Sequence, residues 1–358
     1  MVTDTYQLID AVKQMYPVAQ FLKDRYFPDG KNFYSTEVMI DSKKQGRQMA
    51  PFVIPKINGI VMESEAMRTD RIKAPTIAPK TPITPDDLEK RGFGESPDSN
   101  RAPEDREREL EADILDEHRN AISRRLEQMC ADIITTGQVT IKQYATAEDA
   151  AADKNAQERV LQYFDSSFGN RFVTSKKWNN MTAQEKVDTL YKMASELHKR
   201  GFKATDLVIT ADVAAGLFAD PDFLDYFDKR RVEIGNIAPI DTPEGVVNNG
   251  TFVVNGVKLT LFTYDEWFAA AGGTLTRILP ANTIAMLTPG LGKTVYGQVT
   301  FLEGTGDSAE YKSYAEKFVP RAVANTADNV KDICLFSRPV PYPVFTDSWL
   351  YVDADRNN

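Results

Sequence analysis

Apolar residues recur at steps of three or four along residues 103–137, which is the spacing of one face of a helix. This stripe consists of Leu110, Ile114, His118, Ile122, Leu126, Met129 and Ile133. Pro103 suits the first turn, acids crowd the residues that follow it, and Gly137 is a typical stop. The pattern therefore predicts a single helix over 103–137, about 50 Å long.

Only this stripe of the predicted helix is apolar, because its other faces alternate acids with arginines. A helix of this length exceeds what a compact domain needs, and the pattern favours a strut laid across a thin sheet. A coiled coil is the alternative, but the stripe contains His118 and lacks a sustained leucine heptad.

The segment 46–100 has a different composition. It carries prolines at positions 51, 55, 75, 79, 82, 85 and 97, too many for a helix or a central strand. Two extended pieces, 52–54 and 57–62, form at most a ribbon, which does not bury enough apolar surface to be stable alone in water. Since these pieces are too apolar for plain disorder, we expect a neighbouring subunit to cover them.

The remaining pattern predicts shorter elements. A first helix begins near Thr3–Asp4 with Leu8, Ile9, Val12 and Met15 on one face, and a second begins at Thr182 and stops at Gly201. The pattern also predicts a buried cluster of Phe21, Leu22, Tyr26 and Phe27, and a surface loop over residues 145–157.

The remaining extended segments are predicted to be strands. They are 34–40, 138–144, two within 159–174, 207–210, a hairpin over 251–263 that turns at Asn255-Gly256, 284–287, 295–302, 317–323 and two in the tail. Residues 182–290 therefore indicate one α/β unit flanked by strand-rich pieces.

Composition narrows the class of protein. The 358 residues are 42% hydrophobic and 27% charged, the net charge is −9 and the mean hydropathy is −0.39, as in ordinary globular proteins. The chain has no apolar run that could span a membrane, and its start lacks the features of a secretory signal. Two cysteines suit a reducing cytoplasm. The acidic balance disfavours a surface that grips nucleic acid, but it is compatible with a wall that encloses nucleic acid without binding it.

Candidate catalytic chemistry is sparse. The run Gly290-Leu291-Gly292-Lys293-Thr294 ends like a phosphate-binding loop, but Leu287 stands where that motif needs its first glycine. A turn between strands is the alternative. His118 and His198 are the only histidines and are expected to be structural, as are Cys130 and Cys334. The acids 113, 116 and 117 are interleaved with arginines, which is typical of an ion-pair network. We expect no enzyme activity, no catalytic residue, no cofactor and no metal site.

Several stretches together resemble a known family. They are FLKDRYFP, FYSTEVMIDSKKQGRQMAPFVIPKINGIV, ITPDDLEKRGFGESP, the long helix with its exit ITTGQVTI, TYDEWF, LPANTIAMLTPG and SRPVPYP. In this order they are similar to the major capsid protein E family of tailed phages. The resemblance implies an α+β fold of the Hong Kong 97 phage type. The implied parts are an N-terminal arm with the first strand (1–45), an extended loop (46–100), a peripheral domain (101–181) with a spine helix (103–137), an axial domain (182–294), return strands of the peripheral domain (295–329) and C-terminal strands of the axial domain (330–358).

The function implied by the resemblance is that of a phage head protein. Copies would form hexamers and pentamers of an icosahedral shell that encloses packaged double-stranded DNA without sequence-specific binding. The implied partners are a separate scaffolding protein, a portal and a decoration protein, with no membrane; the shell would assemble in the host cytoplasm, and maturation would straighten the spine helix. A cytoplasmic oligomeric binding module, a compartment shell without a viral role and a nucleotide-binding enzyme are the alternatives.

The residues expected at contacts between subunits come from the extended loop and the spine helix. They are Pro51, Phe52, Ile54, Pro55, Ile57, Gly59, Ile60, Met62, Arg68, Arg71, Arg91, Glu95, Arg106, Arg108, Arg124, Arg125 and Glu127. Some capsid proteins of this fold are cross-linked through a loop lysine, for which Lys56, Lys73 and Lys80 are candidates by residue type. A non-covalent shell is the favoured interpretation.

Overall fold

The structure of the chain is a computed structural model. It describes residues 8, 9, 12, 20–43, 49, 67–90, 102–164, 168–223, 245–270, 273–304 and 309–356. Within these ranges the helices are α1 Phe21–Tyr26, α2 Pro85–Glu89, α3 Pro103–Thr136, α4 Ala147–Ala152, α5 Ala183–Lys199 and α6 Ala211–Phe218. Residues 8, 9 and 12 are also helical and buried, in agreement with the predicted first helix.

The described ranges contain eighteen strands, of which twelve follow α6. The eighteen strands are β1 Glu37–Lys43, β2 Met67–Lys73, β3 Lys80–Ile83, β4 Gln138–Gln143, β5 Gln157–Gln162, β6 Asp206–Thr210, β7 Val246–Val254, β8 Val257–Tyr264, β9 Trp267–Ala269, β10 Leu275–Arg277, β11 Thr283–Leu287, β12 Gly292–Tyr296, β13 Val299–Glu303, β14 Glu310–Tyr314, β15 Val319–Asn325, β16 Val330–Phe336, β17 Pro339–Pro343 and β18 Leu350–Asp353.

The long helix α3 has the predicted bounds. Pro103 occupies the first turn, with Glu104 and Asp105 beside it, and Gly137 ends the helix in the left-handed conformation at φ 72°. A Cβ at Gly137 would lie 2.6 Å from the ring of Phe168, so both the backbone and the packing require glycine here. The predicted apolar stripe is buried from His118 onward, towards the carboxyl half of the helix.

The apolar stripe of α3 lies on sheets. Leu115 and Ile122 pack with Ile83, Ile333 and Leu335. Those three residues belong to a three-stranded antiparallel sheet in the order β15–β16–β3. Strand β3 lies within the proline-rich segment 46–100, so this part of the segment is anchored beneath the long helix.

The pairing of β16 corrects one expectation. Residues 330–358 were expected to supply axial strands as a whole, but β16 pairs with β15 and β3, and β17 pairs with β12. From this segment only β18 joins the larger, five-stranded sheet. The sequence shows that strands are present here, but partners that lie about 250 residues away in the chain are not visible in a local pattern.

The five-stranded sheet has the order β18–β11–β6–β8–β7, in which only the β6–β8 pair is parallel. Its strands alternate between two cores. Leu207 and Ile209 face a core that contains α5, whereas Val208 between them faces the core that contains the end of α3. The sheet is therefore covered on both faces by its own chain.

Helix α5 and the hairpin β7–β8 follow their sequence signals. Thr182 and Glu185 form a capping box, and the predicted stripe of Val187, Leu190, Met193, Ala194 and Leu197 is buried. Asn255 and Gly256 both have positive φ, at 45° and 89°, as the predicted two-residue hairpin turn requires.

Several local predictions were wrong in the described ranges. The strand predicted at 295–302 is divided between β12 and β13. The first strand runs over 37–43 instead of 34–40. Residues 147–152 form a helix where a loop was predicted, because the Thr146 hydroxyl accepts a hydrogen bond from the Asp149 amide and caps it. The second strand predicted within 159–174 is reduced to one parallel bridge between Arg171 and Tyr351; positions 165–167 lie outside the described residues.

Candidate assembly surfaces

Most of the residues expected at subunit contacts lie outside the described part of the chain. These are Pro51, Phe52, Ile54, Pro55, Ile57, Gly59, Ile60, Met62, Arg91 and Glu95, together with the cross-link candidate Lys56. The remaining seven residues, on β2 and on α3, are described with their surroundings.

Strands β1 and β2 flank residues 46–66 of the predicted extended loop. They pair antiparallel, with Val38 opposite Ile72 on a buried face and Met39 opposite Arg71 on an exposed face. The Arg71 guanidinium lies 3.7 Å from the carboxylate of Glu37, and 64% of the Arg71 side chain remains exposed. The outer face of this ribbon is therefore available for contact with another copy.

Arg68 and Lys80 are engaged within the chain. The Nε of Arg68 lies 2.7 Å from the carboxylate of Asp70. The ammonium of Lys80 binds Asp332 on β16 at 2.8 Å. Lys80 therefore ties β3 to β16, whereas the cross-link candidate Lys73 is exposed at the end of β2.

The arginines of α3 divide between exposed and intrachain positions. Arg108 and Arg124 are exposed, and so is Arg125, which donates to the Gln128 side chain at 2.8 Å. Arg106 instead donates to the backbone carbonyl of Leu88 at 3.0 Å and so holds α2 against the long helix. The first three are consistent with an outer assembly surface, and Arg106 has an internal contact.

Glu127 is the clear error among the predicted contact residues, because it is buried inside its own chain. Its carboxylate accepts hydrogen bonds from the backbone amides of Leu22 at 2.7 Å and Lys23 at 3.0 Å, and from the Tyr264 hydroxyl at 3.2 Å. Burial raises the pKa of Glu127 to about 7, and the three hydrogen bonds oppose that rise. Charge periodicity alone did not reveal that α1 lies over this position.

The motif FLKDRYFP acquires a physical explanation from the position of α1. Phe21 packs against the rings of Phe262 and Tyr264 on β8. The Arg25 guanidinium binds Asp206 at the start of β6, and the Tyr26 hydroxyl donates to the same carboxylate at 3.0 Å. Helix α1 is thus fastened to the long helix at one end and to the five-stranded sheet at the other.

A partly buried ion-pair cluster joins α3 to the three-stranded sheet. The Lys331 ammonium on β16 binds the carboxylates of Glu107, at 2.6 Å, and Glu111. The charge pattern predicts that these two acids face water or other charged surfaces, and Lys331 is a partner of the second kind. Glu109, Asp113 and Glu117 are exposed on another face of the helix.

The phosphate-loop alternative fails on the position of its residues. Gly292 to Thr294 lie in β12, and the Thr294 hydroxyl is buried and donates to the Phe27 carbonyl at 2.8 Å. A Cβ on Gly292 would lie 2.4 Å from Phe27 and from the Tyr342 carbonyl. The glycine therefore allows close packing of the strand, and the hydroxyl does not face a ligand site.

His118 and the cysteines are buried structural residues. The Nε2 of His118 lies 2.8 Å from the Thr81 hydroxyl on β3, and its Nδ1 is buried without a hydrogen-bond partner. Burial lowers the pKa of His118. Burial also raises the pKa of Cys130 and Cys334, so their thiols are held protonated. Among the described residues there is no group of three potential metal ligands, and no helix is long and apolar enough to cross a membrane.

One exposed apolar pair and one exposed tryptophan were missed by the sequence reasoning. Leu302 and Tyr311 are opposite each other on β13 and β14 and are 44% and 78% exposed. Trp267 on β9 is 44% exposed and is held by Arg277 over its ring and by a hydrogen bond to Asp265. Large exposed side chains on two-stranded pieces are typical of contact surfaces. Alternation within 299–303 and 310–314 is the signal that indicates the pair of Leu302 and Tyr311.

A family model described as phage major capsid protein E matches residues 4–353. The chain belongs to this family. The fold is similar to that of a protein described as the capsid protein of a prophage of Escherichia coli CFT073, with a TM-score of 0.70 and 16% identity over 99% of each chain. It is also similar to a phage-related protein from Bordetella bronchiseptica RB50, with a TM-score of 0.51 and 10% identity over 99% of this chain and 98% of that one.

These findings confirm the resemblance and the Hong Kong 97 phage-type fold. The chain is a bacteriophage major capsid protein, a structural subunit of a multimeric icosahedral capsid shell, and its place is the capsid of the virion. The binding-module and compartment alternatives are not favoured.

Bacterial enzymes also match parts of the chain. A 1-pyrroline-5-carboxylate dehydrogenase from Anoxybacillus flavithermus is 23% identical over 51% of this chain and 35% of its own length. A second such dehydrogenase, from Bacillus subtilis, is 24% identical over 53% of this chain and 36% of its own length. The chain spans about a third of the length of these relatives. The capsid family model, in contrast, matches nearly all of this chain.

Proposed function

We propose that the major capsid protein forms hexamers and pentamers in which the extended loop of one copy lies on the long helix of the next. The observation that carries this proposal is charge complementarity between two segments of the same chain. Residues 43–73 contain seven lysines and arginines against three acids, a net charge of +4. Residues 103–121 contain eight acids against three arginines, a net charge of −5.

The exposed side chains support this pairing. Arg71 and Lys73 are exposed at the base of the loop, and Asp113 and Glu117 are exposed one turn apart on the long helix. In a shell of identical chains, every copy presents one basic and one acidic surface, which makes the contact heterologous and able to close into rings. Individual exposed pairs contribute about 0.3–0.5 kcal/mol, so many of them stabilise a shell while single errors remain reversible.

The parts of the chain then take the roles expected from the resemblance. Residues 1–45 form the N-terminal arm and 46–100 the extended loop, 101–181 with 295–329 the peripheral domain, and 182–294 the axial domain, with β18 from the C-terminal segment. Within the peripheral domain, α3 acts as the spine. The exposed pair Leu302 and Tyr311 adds an apolar contact between peripheral domains.

The shell encloses double-stranded DNA without reading its sequence, which agrees with the net charge of −9. A separate scaffolding protein, a portal and a decoration protein complete the particle, which assembles in the host cytoplasm. We expect the chain to carry out no chemical reaction, and the burial of His118, Cys130, Cys334 and Thr294 in structural contacts supports this.

A charge-reversal series tests the loop-on-helix contact. Arg71→Glu with Lys73→Glu, and separately Asp113→Lys with Glu117→Lys, should each reduce the yield of particles in sedimentation at low salt. The four substitutions together should restore a large part of that yield, because the two surfaces again carry opposite charge. Lys154→Glu, on an exposed turn, is the matched control. Wild-type assembly by both double variants would contradict the proposed contact.

A further inference from the structure

Helix α1 has no cap of its own and receives one from a distant residue. Gln20, at the N-cap position, makes no side-chain hydrogen bond to the helix. The carboxylate of Glu127 instead accepts the amides of Leu22 and Lys23, in the first turn, from 105 and 104 residues away. The Gln20 side chain donates to the Ser123 carbonyl at 2.6 Å, one turn earlier on α3. The start of α1 is thus held on the long helix by two polar contacts.

The surroundings of Glu127 oppose its negative charge. The residue is 5% exposed, and Cys130, one turn further along α3, is a buried thiol that is held neutral. The nearby ammonium of Lys23 is already bound by Asp24 at 2.9 Å and Asp29 at 2.8 Å, so no free cation compensates the carboxylate. From the sheet side only the neutral Tyr264 hydroxyl donates to it.

We propose that Glu127 is a protonation-sensitive clasp that sets how firmly α1 is held between the long helix and the five-stranded sheet. The neutral acid is buried without a charge penalty and keeps α1 docked. The ionised carboxylate is better solvated when α1 lifts away and water enters, so ionisation favours release of the arm. Because α1 also binds Asp206 and packs on Phe262, its release would loosen the connection between α3 and the sheet.

The direction of the pH dependence follows from linkage. The pKa of Glu127 is raised from 4.5 to about 7 in the docked state by burial, so the docked state binds the proton more tightly than an open state with a solvated side chain. Docking is therefore strongest at low pH and weakens as pH rises through 7. With these two values, the population of the open state should increase about tenfold between pH 6 and pH 8.

Hydrogen exchange on the full, unassembled chain tests the clasp. Protection of the amides in 21–26, corrected for the intrinsic effect of pH on exchange, should fall about tenfold between pH 6 and pH 8. Glu127→Gln cannot ionise, so its protection should show no such dependence, whatever its absolute level. Glu117→Gln, an exposed position on the same helix, is the matched control and should behave as wild type.

A second variant, Tyr264→Phe, tests the proposal even if Glu127→Gln does not fold. Tyr264→Phe removes a donor that stabilises the carboxylate but leaves the ring packing on Phe21, so the midpoint of the transition should move to higher pH. Wild-type protection that does not change with pH, a wild-type slope in Glu127→Gln, or an unmoved midpoint in Tyr264→Phe would each overturn the proposal.

Discussion

The guanidinium of Arg25 binds the carboxylate of Asp206 through two hydrogen bonds, from Nε at 2.5 Å and Nη2 at 3.1 Å, although 181 residues separate them. Asp206 is 1% exposed, and the Tyr26 hydroxyl occupies a further position on its carboxylate. Arg25 also lies over the ring of Phe262, at 4.9 Å. This contact joins α1 to β6, which comes first along the chain among the strands of the five-stranded sheet.

Replacement of Asp206 by Asn should destabilise the folded chain by about 2–4 kcal/mol, because it leaves Arg25 without its charged partner. Denaturant unfolding of the unassembled chain measures this loss. Asp212→Asn is the matched control, since it removes an ion pair with Arg277 from a side chain that is 41% exposed; it should cost less than about 1 kcal/mol. Equal losses in the two variants would contradict the importance of the Arg25 contact.

Gly292→Ala should be among the most damaging single substitutions in the chain. The added Cβ would lie 2.4 Å from both the Phe27 ring and the Tyr342 carbonyl, and backbone on one side cannot move away. We expect a loss of at least about 2 kcal/mol, or failure to fold, measured by thermal unfolding.

Gly169→Ala is the control for this substitution. A Cβ at Gly169 would meet nothing within 4 Å, and the backbone there does not have a positive φ. Its effect should stay within about 0.5 kcal/mol. If Gly292→Ala is equally mild, the packing of β12 against Phe27 is not as the structure describes.

His118 should contribute a loss of stability as pH is lowered below 6.5. Burial lowers the pKa of this residue in the folded chain, so the unfolded chain takes up a proton that the folded chain resists. The contribution is fully present above pH 6.5 and is lost as pH falls through the lowered pKa. Comparison of unfolding free energies at pH 7 and pH 5 in wild type and His118→Gln measures it.

His118→Gln should show a smaller loss between pH 7 and pH 5 than the wild type does. Glu127 acts in the opposite direction over this range, so the difference between the two chains, and not the absolute slope, is the informative quantity. The same slope in both chains would show that His118 does not titrate in this way.

The elements that could be predicted from the sequence are those with signals at both ends. Helix α3, of 34 residues, was predicted to within one residue because Pro103 and Gly137 mark its ends and its apolar stripe recurs from Leu110 to Ile133. The hairpin at Asn255-Gly256 was equally clear, since the two residues can adopt the positive φ that the turn requires. In both cases the determining interactions are local.

The predictions that failed depended on interactions between distant segments. Glu127 has the spacing of a surface acid on α3, and only the docking of α1 buries it. Glu111 also has the spacing of a surface acid on α3, and only the structure shows that it binds Lys331 on β16. The strand at 330–336 was recognised, but its pairing with 80–83 was not. Charge patterns on a helix identify which side chains share a face, and they do not identify which segment of the chain covers that face.

Electron microscopy of the chain expressed alone, and together with the neighbouring phage genes, tests the central claim most directly. The loop-on-helix account predicts closed shells, tubes or sheets built of hexamers, and their loss when residues 50–62 are deleted. A homogeneous small oligomer under all of these conditions, or normal particles from the deletion variant, would contradict it.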